Sequence, residues 1–215
     1  DRSLKEVIES ETIPDYFYRV SFLQPYHLAY QISLFALLLS EGVEFCGCVG
    51  HSAGELAAFC CSGMLTLEET FRIAWHRGSC QERLQGRGKM LAVRMSRKEA
   101  VMLCKESGGL VSLGVENGEN RVVLSGDLQA LEEIKKQWGG KLLKGSVAYH
   151  SWQMDEVEEK FRQSLQERER NGDKQAQNVV ECITEDIVVN AEAEIALYST
   201  VYGELMEEGT YDAGY

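Results

Sequence analysis

Leu28, Ile32, Phe35 and Leu39 recur at helical spacing after Pro25, which predicts a buried helix over residues 26–40 ending near Gly42. The short apolar run Phe45 to Val49 follows. Because it is brief, broken by a glycine and followed at once by small residues and a helical pattern, it is predicted to be a buried strand. The unit is therefore strand, sharp turn, helix. That helix, 54–62, stops at Gly63, and Thr66 with Glu69 forms a capping-box signature for the next, over 67–83.

From residue 89 the rhythm changes. Met90 to Met95 is predicted to be a strand, and Ser96 with Glu99 caps a helix to about 106. Leu110–Glu116 and Arg121–Ser125 flank the turn Asn117-Gly118-Glu119-Asn120, and a helix over 127–138 leads to a last strand around Leu142–Tyr149. Residues 89–149 thus spell β-α-β-β-α-β, a ferredoxin-like subdomain inserted after the strand–turn–helix unit. Beyond it, Met154–Leu165 is a charged amphipathic helix and Gln166–Asn178 an exposed loop. Val179–Ile183, Ile187–Val189 and Ile195–Val201 are strand-like, and no internal repeat is present. The predicted organisation is a large subdomain over 1–88, the insert over 89–149, and a return to the large subdomain over 150–215.

Composition narrows the function classes. At 215 residues and 44% hydrophobic, the chain can bury a core, which excludes a disordered or fibrous segment. The six-residue apolar run Leu34–Leu39 is far short of a membrane span, and no leader opens the chain, so a soluble cytoplasmic protein is expected. The net charge of −12 is uneven: residues 151–215 hold 16 acids against five bases. Nothing resembles the basic stripe of a nucleic-acid binder. Seven cysteines without paired CxxC units predict reduced, mostly buried thiols and no zinc site.

The sharpest chemical signal is Gly50-His51-Ser52-Ala53-Gly54, a GxSxG pattern between the predicted strand and helix. Small residues on both flanks allow a tight turn that lifts the Ser52 hydroxyl to the positive end of the helix. The competing reading is a strand-to-helix turn with no chemistry. A serine nucleophile needs a base, usually histidine. His51 points away along the turn, His27 and His76 lie within predicted helices, and His150 closes the last strand of the insert, which makes it the best-placed base. Arg77 sits on a largely apolar helix, where it either clamps a carboxylate or lies on a solvated face; periodicity leaves both open.

Together these pieces resemble the malonyl-CoA:acyl-carrier-protein transacylase family, the acyltransferase domains of polyketide and fatty-acid synthases. The resemblance rests on Gln24-Pro25, Gly50-His51-Ser52-Ala53-Gly54-Glu55, Ser62–Glu69 and Arg77, in order. It continues through Gly88-Lys89-Met90, Asn117-Gly118, Val122–Gly126, Ala148-Tyr149-His150-Ser151 with Met154, and Tyr198–Gly203. It implies an α/β fold: an α/β-hydrolase-like large subdomain, a ferredoxin-like small one, and an active site in the cleft between them. It also implies Ser52 as the acylated nucleophile, His150 as its base, Arg77 as the carboxylate clamp, and the Ala53 N–H as half of the oxyanion hole. Gln24 and Asn117 would line the pocket. The implied chemistry is a ping-pong transfer from malonyl-CoA to the phosphopantetheine thiol of an acyl carrier protein. CoA enters as substrate, no metal or redox cofactor is needed, and neighbouring domains include a ketosynthase.

Two departures qualify this. The family's opening strand and Gly-Gln-Gly loop have no counterpart in Asp1–Phe22, and the chain stops at Tyr215 before the family's Tyr-Trp pair and histidine-orienting segment. A fragment lacking both ends of the domain is therefore expected. Val147-Ala148-Tyr149 stands where malonyl-selective members often carry His-Ala-Phe, which leaves the acyl unit open. The alternatives are an α/β-hydrolase esterase or thioesterase, which needs an acid between Ser and His and has no use for Arg77, and a catalytically silent synthase fragment.

Overall fold

A computed structural model of the chain describes residues 9, 18–166 and 195–206. In chain order its elements are α1 (Val20–Ser40), β1 (Gly47–Val49), α2 (Gly54–Cys61), α3 (Leu67–Gln81), β2 (Lys89–Val93), α4 (Arg97–Glu106), β3 (Val111–Gly118), β4 (Arg121–Gly126), α5 (Leu128–Trp138), β5 (Lys141–Leu142), α6 (Asp155–Gln166) and β6 (Ala196–Tyr198). The chain divides into two compact units, Asp1–Ser79 with Arg162–Tyr215, and Cys80–Phe161. The strands expected at Val179–Ile183 and Ile187–Val189, and most of the loop 166–178, lie outside the described residues.

In the first unit, β1 pairs in parallel with β6, Cys48 opposite Leu197. Leu28, Ile32 and Phe35 of α1 pack with Ala57, Cys60 and Cys61 of α2 and Phe71 and Ala74 of α3. The periodicity of α1 was therefore informative about its buried face, but the helix starts at Val20, with Pro25 inside it. Proline removes one helical hydrogen bond and is tolerated best near a helix start. Here packing on α3 holds the turns before it. Phe22 meets Trp75 edge to face at 5.7 Å. Gly78 lets the backbones close up, since a Cβ there would stand 2.8 Å from Val20 O. The apolar run Phe45–Val49 is strand only over Gly47–Val49, and it is not a buried strand: Val49 is 68% exposed. Among the described residues its only partner is β6, while Phe45 turns to Phe35 with ring centroids 4.9 Å apart.

The second unit carries a four-stranded sheet in the order β3-β4-β2-β5, every neighbouring pair antiparallel. One face packs Leu91, Val93, Val111, Val122 and Leu124 against Ala100 of α4 and Leu131 and Ile134 of α5. The expected capping box is present on α4, with Glu99 N donating to Ser96 Oγ and Ser96 N to Glu99 Oε2. The last strand differs from expectation: β5 ends at Leu142 rather than near Tyr149. Its continuation trades ladder bonds for bonds to loops. Leu143 N still donates to Met90 O of β2 (2.9 Å), but beyond it Lys89 Nζ donates to Gly145 O (2.9 Å) and Gly86 N to Ser146 O (2.7 Å), which carries 144–150 off the sheet edge.

Candidate active site

The elbow is a close-packed backbone feature. Gly50 is buried between β1 and α2, and a Cβ on it would stand 2.3 Å from Gly54 O and 2.4 Å from Glu55 N, so only glycine fits. The turn closes with Gly54 N donating to His51 O (3.0 Å) and Glu55 N to Ser52 O (3.1 Å). Ser52 takes φ +54, the left-handed region that non-glycine residues rarely occupy. It is half-buried, whereas His51 is exposed. Among the described residues nothing accepts the Ala53 N–H.

Sequence reasoning gave no role to Glu55 or Thr200, which brace this turn. Thr200, just past β6, donates its N–H to Glu55 Oε1 (3.1 Å), and its hydroxyl lies 2.7 Å from that oxygen and 2.9 Å from Gly50 O. Ser199 Oγ accepts from Val201 N and Tyr202 N at 3.0 Å each and so fixes the loop that presents Thr200. Both residues sit inside segments that carried the family resemblance; what the sequence hid was that 145 positions separate two bonded groups.

Gln24 and Arg77 are brought together. Arg77 is half-buried on α3, and its Nη1 donates to Gln24 Oε1 at 3.0 Å. The question that periodicity left open is thus answered in part: this arginine does not lie on a fully solvated face. One guanidinium edge is engaged by a neutral amide, which leaves its charge uncompensated by that contact. His27 is exposed on α1 and His76 is buried in α3.

His150 belongs to the second unit. It does not end a strand, as expected, but sits in a turn with φ +59. Side chains drawn from several segments hold that turn. Ser151 Oγ donates to Ala148 O (2.6 Å) and accepts from Gln153 N (3.3 Å), and Gln153 Nε2 donates to Arg87 O (3.1 Å). Gly88 permits the crossing: a Cβ there would stand 2.6 Å from Ala148 Cβ. Asn117 lies at the end of β3, where it lines a cavity of about 640 Å³ with Arg94, Arg121 and Trp138.

All six described cysteines are free. Burial pushes the Cys48, Cys60 and Cys104 thiols up, and Cys61, buried and close to Cys60 and Cys48, is pushed up to about 12. Among the described residues no group of three His, Cys, Asp or Glu side chains is placed to hold a metal, and no helix is long and apolar enough to cross a membrane.

A strand, a serine with positive φ and a helix N-terminus follow one another within residues 47–61, the strand–turn–helix arrangement of an elbow. The acyl transferase domain family matches residues 1–202, and the chain belongs to that family. Reducing polyketide synthase 8 of Fusarium mangiferae is 34% identical over 173 residues, which span 76% of this chain and 7% of that protein. Hybrid PKS-NRPs synthetase opdA of Penicillium oxalicum is 36% identical over 154 residues, 66% of this chain and 4% of that protein. Among solved structures, the acyltransferase domain from module 8 of the salinomycin polyketide synthase superposes with a TM-score of 0.79 at 26% identity, covering 100% of this chain and 47% of that one. A loading acyltransferase from the avermectin modular polyketide synthase gives 0.78 at 27%, covering 100% and 64%. The chain thus spans a small part of these curated relatives and about half to two thirds of the solved domains.

Proposed function

We propose that this chain transfers a malonyl-type acyl group from CoA, through an ester on Ser52, to the phosphopantetheine thiol of an acyl carrier protein in a polyketide or fatty-acid synthase. One observation carries the reading. Ser52 and His150, the residues that would serve as nucleophile and base, are the two non-glycine residues with positive φ among those described. Such strain costs roughly 1–3 kcal/mol per residue and concentrates at functional sites.

In the first half-reaction the Ser52 Oγ–H proton passes to His150 Nε2 as the oxygen lone pair bonds the thioester carbonyl carbon. The Ala53 N–H stabilises the oxyanion. When that intermediate collapses, the C–S bond breaks and the CoA sulfur leaves with the proton from His150. In the second half-reaction the carrier thiol gives its proton to His150 as its sulfur attacks the ester carbonyl carbon; the ester C–O bond then breaks and Ser52 Oγ takes that proton back from His150. Arg77, whose Nη1 donates to Gln24 Oε1, is the residue that would meet the free carboxylate of the acyl group. No metal or redox cofactor enters these steps.

The β-α-β-β-α-β order and the strand order of the second unit support reading it as a ferredoxin-like small subdomain, and the elbow supports reading the first as α/β-hydrolase-like. Brief incubation with malonyl-CoA should add one malonyl group to the peptide that contains Ser52. Persistence of that label in Ser52→Ala would overturn the reading.

A further inference from the structure

The segment that leads into β2 holds the His150 turn from both sides. Ahead of the histidine, Gly86 N donates to Ser146 O (2.7 Å) and Lys89 Nζ to Gly145 O (2.9 Å). Beyond it the grip belongs to Arg87, which binds twice. Its main-chain oxygen accepts from Gln153 Nε2 (3.1 Å), and its guanidinium makes a fork with Glu156 in the first turn of α6, Nη1 to Oε2 at 2.7 Å and Nη2 to Oε1 at 2.8 Å. The bonds from Arg87 hold the Glu156 carboxyl below its ordinary value of 4.5, so the fork is intact at neutral pH. Both side chains are nevertheless about half exposed, and water and salt screen such pairs. The fork therefore adds little to the stability of the whole unit, and its effect is local. His150 keeps a left-handed backbone, φ +59, and a non-glycine residue stays there only where its surroundings over-determine it.

We propose that Arg87 is a positioning residue for the base: by fixing Gln153 and Glu156 it sets the course of the chain leaving the His150 turn, and with it the place from which the imidazole takes the Ser52 proton. This rests on the reading of His150 as the base. Arg87 acts on the path of the main chain, not on the ring. Lysine cannot replace it fully, because an ammonium keeps the charge and loses the planar fork that meets both carboxylate oxygens at once. A second exposed pair of the same unit, Arg97 with Glu116 (2.7 Å), joins α4 to β3, takes no part in the turn and serves as the control.

The test compares the full-length protein with Arg87→Met, Arg87→Lys, Glu156→Ala, the double variant of Arg87→Met with Glu156→Ala, Arg97→Met and His150→Ala. Methionine keeps the length of the arginine stem and alanine suits the helix, so the variants of the two ion pairs should melt as wild type does. Single-turnover acylation by malonyl-CoA should slow about threefold to fivefold in Arg87→Met and in Glu156→Ala at unchanged half-saturation, the upper range for an exposed forked pair. The double variant should be no slower than either single one, since each already removes the same contact. Arg87→Lys should recover part of the rate, and Arg97→Met should match wild type. Amide hydrogen exchange over residues 146–156 should quicken in Arg87→Met by about the same factor, while β3 and β4 keep their protection. Wild-type acylation in Arg87→Met would overturn the proposal, and so would unaltered exchange over 146–156, an equal loss in Arg97→Met, or a double variant whose loss is the product of the two single ones. A melting transition lowered along with the rate would make Arg87 merely structural and overturn it too. If His150→Ala acylates as fast as wild type, the assignment of the base fails and the role of Arg87 with it, while the exchange measurement still decides whether Arg87 holds the turn.

Discussion

Ser52 and His150 share a left-handed backbone and differ in what imposes it. Around Ser52 the constraint is backbone against backbone: Gly50 lies so close to Gly54 and Glu55 that no side chain fits, and two turn bonds close the elbow within five residues. Around His150 the constraint is side chains arriving from a distance, with Ser151, Gln153, Arg87 O and Gly88 each supplying one contact. A site held by one irreplaceable contact should fail all at once. A site held by several polar contacts should weaken by steps.

Gly50→Ala is the sharpest way to break the first. Its Cβ would overlap main-chain atoms that cannot rotate away, so the elbow must open, at a cost of about 3 kcal/mol or more. Acylation of Ser52 should disappear with it. Gln153→Ala should be milder: it removes the side chain that grips Arg87 O and should cost about 1–2 kcal/mol, with acyl transfer reduced but measurable. Thermal melting and single-turnover acylation of both variants check the contrast, and a Gly50→Ala protein that melts above Gln153→Ala would reverse it.

That contrast also decided what was legible in the sequence. The elbow is local, so a five-residue motif with its flanking pattern pointed to it, and α3, α4 and the β3–β4 turn were announced by their capping boxes and turn residues. The turn at His150 was misread as a strand end because Val147-Ala148-Tyr149 is apolar enough to be a strand, while the bonds that pull it off the sheet come from Gly86, Arg87 and Lys89. The early start of α1 was missed for a similar reason: Pro25 is a local stop signal, overruled by packing on Trp75 and Gly78. Glu55 and Thr200 act through partners far along the chain, and no periodicity records such pairs.

Thr200→Val tests whether the elbow has any stepwise component. Valine keeps the shape and removes the hydroxyl that faces Glu55 and Gly50 O, so the expected loss is about 0.5–1 kcal/mol, and Thr200→Ser should lose less. Since Ser199 still holds Val201 N and Tyr202 N, the loop itself should persist. A loss as large as that of Gly50→Ala would mean that the elbow depends on its brace as much as on its glycine.

The smallest expected effect uses the thiols behind the elbow as reporters. The folded protein holds the Cys61 thiol up to about 12, against an ordinary value of 9.0, and Cys60 is shifted the same way by burial. Above that ordinary value the unfolded chain releases protons that the folded chain keeps, so this contribution to stability is complete below about pH 9 and is lost as pH rises toward 12. Melting temperature should therefore decline over that window, and less steeply in Cys61→Ala. At neutral pH a maleimide should reach the exposed Cys46 first and leave the buried Cys60 and Cys61 protected. Both buried thiols lie on α2, directly after the elbow. Gly50→Ala should expose them to labelling, whereas Gln153→Ala, which loosens the turn in the other unit, should leave them shielded. Equal protection in the two variants would show that the elbow and the His150 turn open together, and the separation drawn between them would fall.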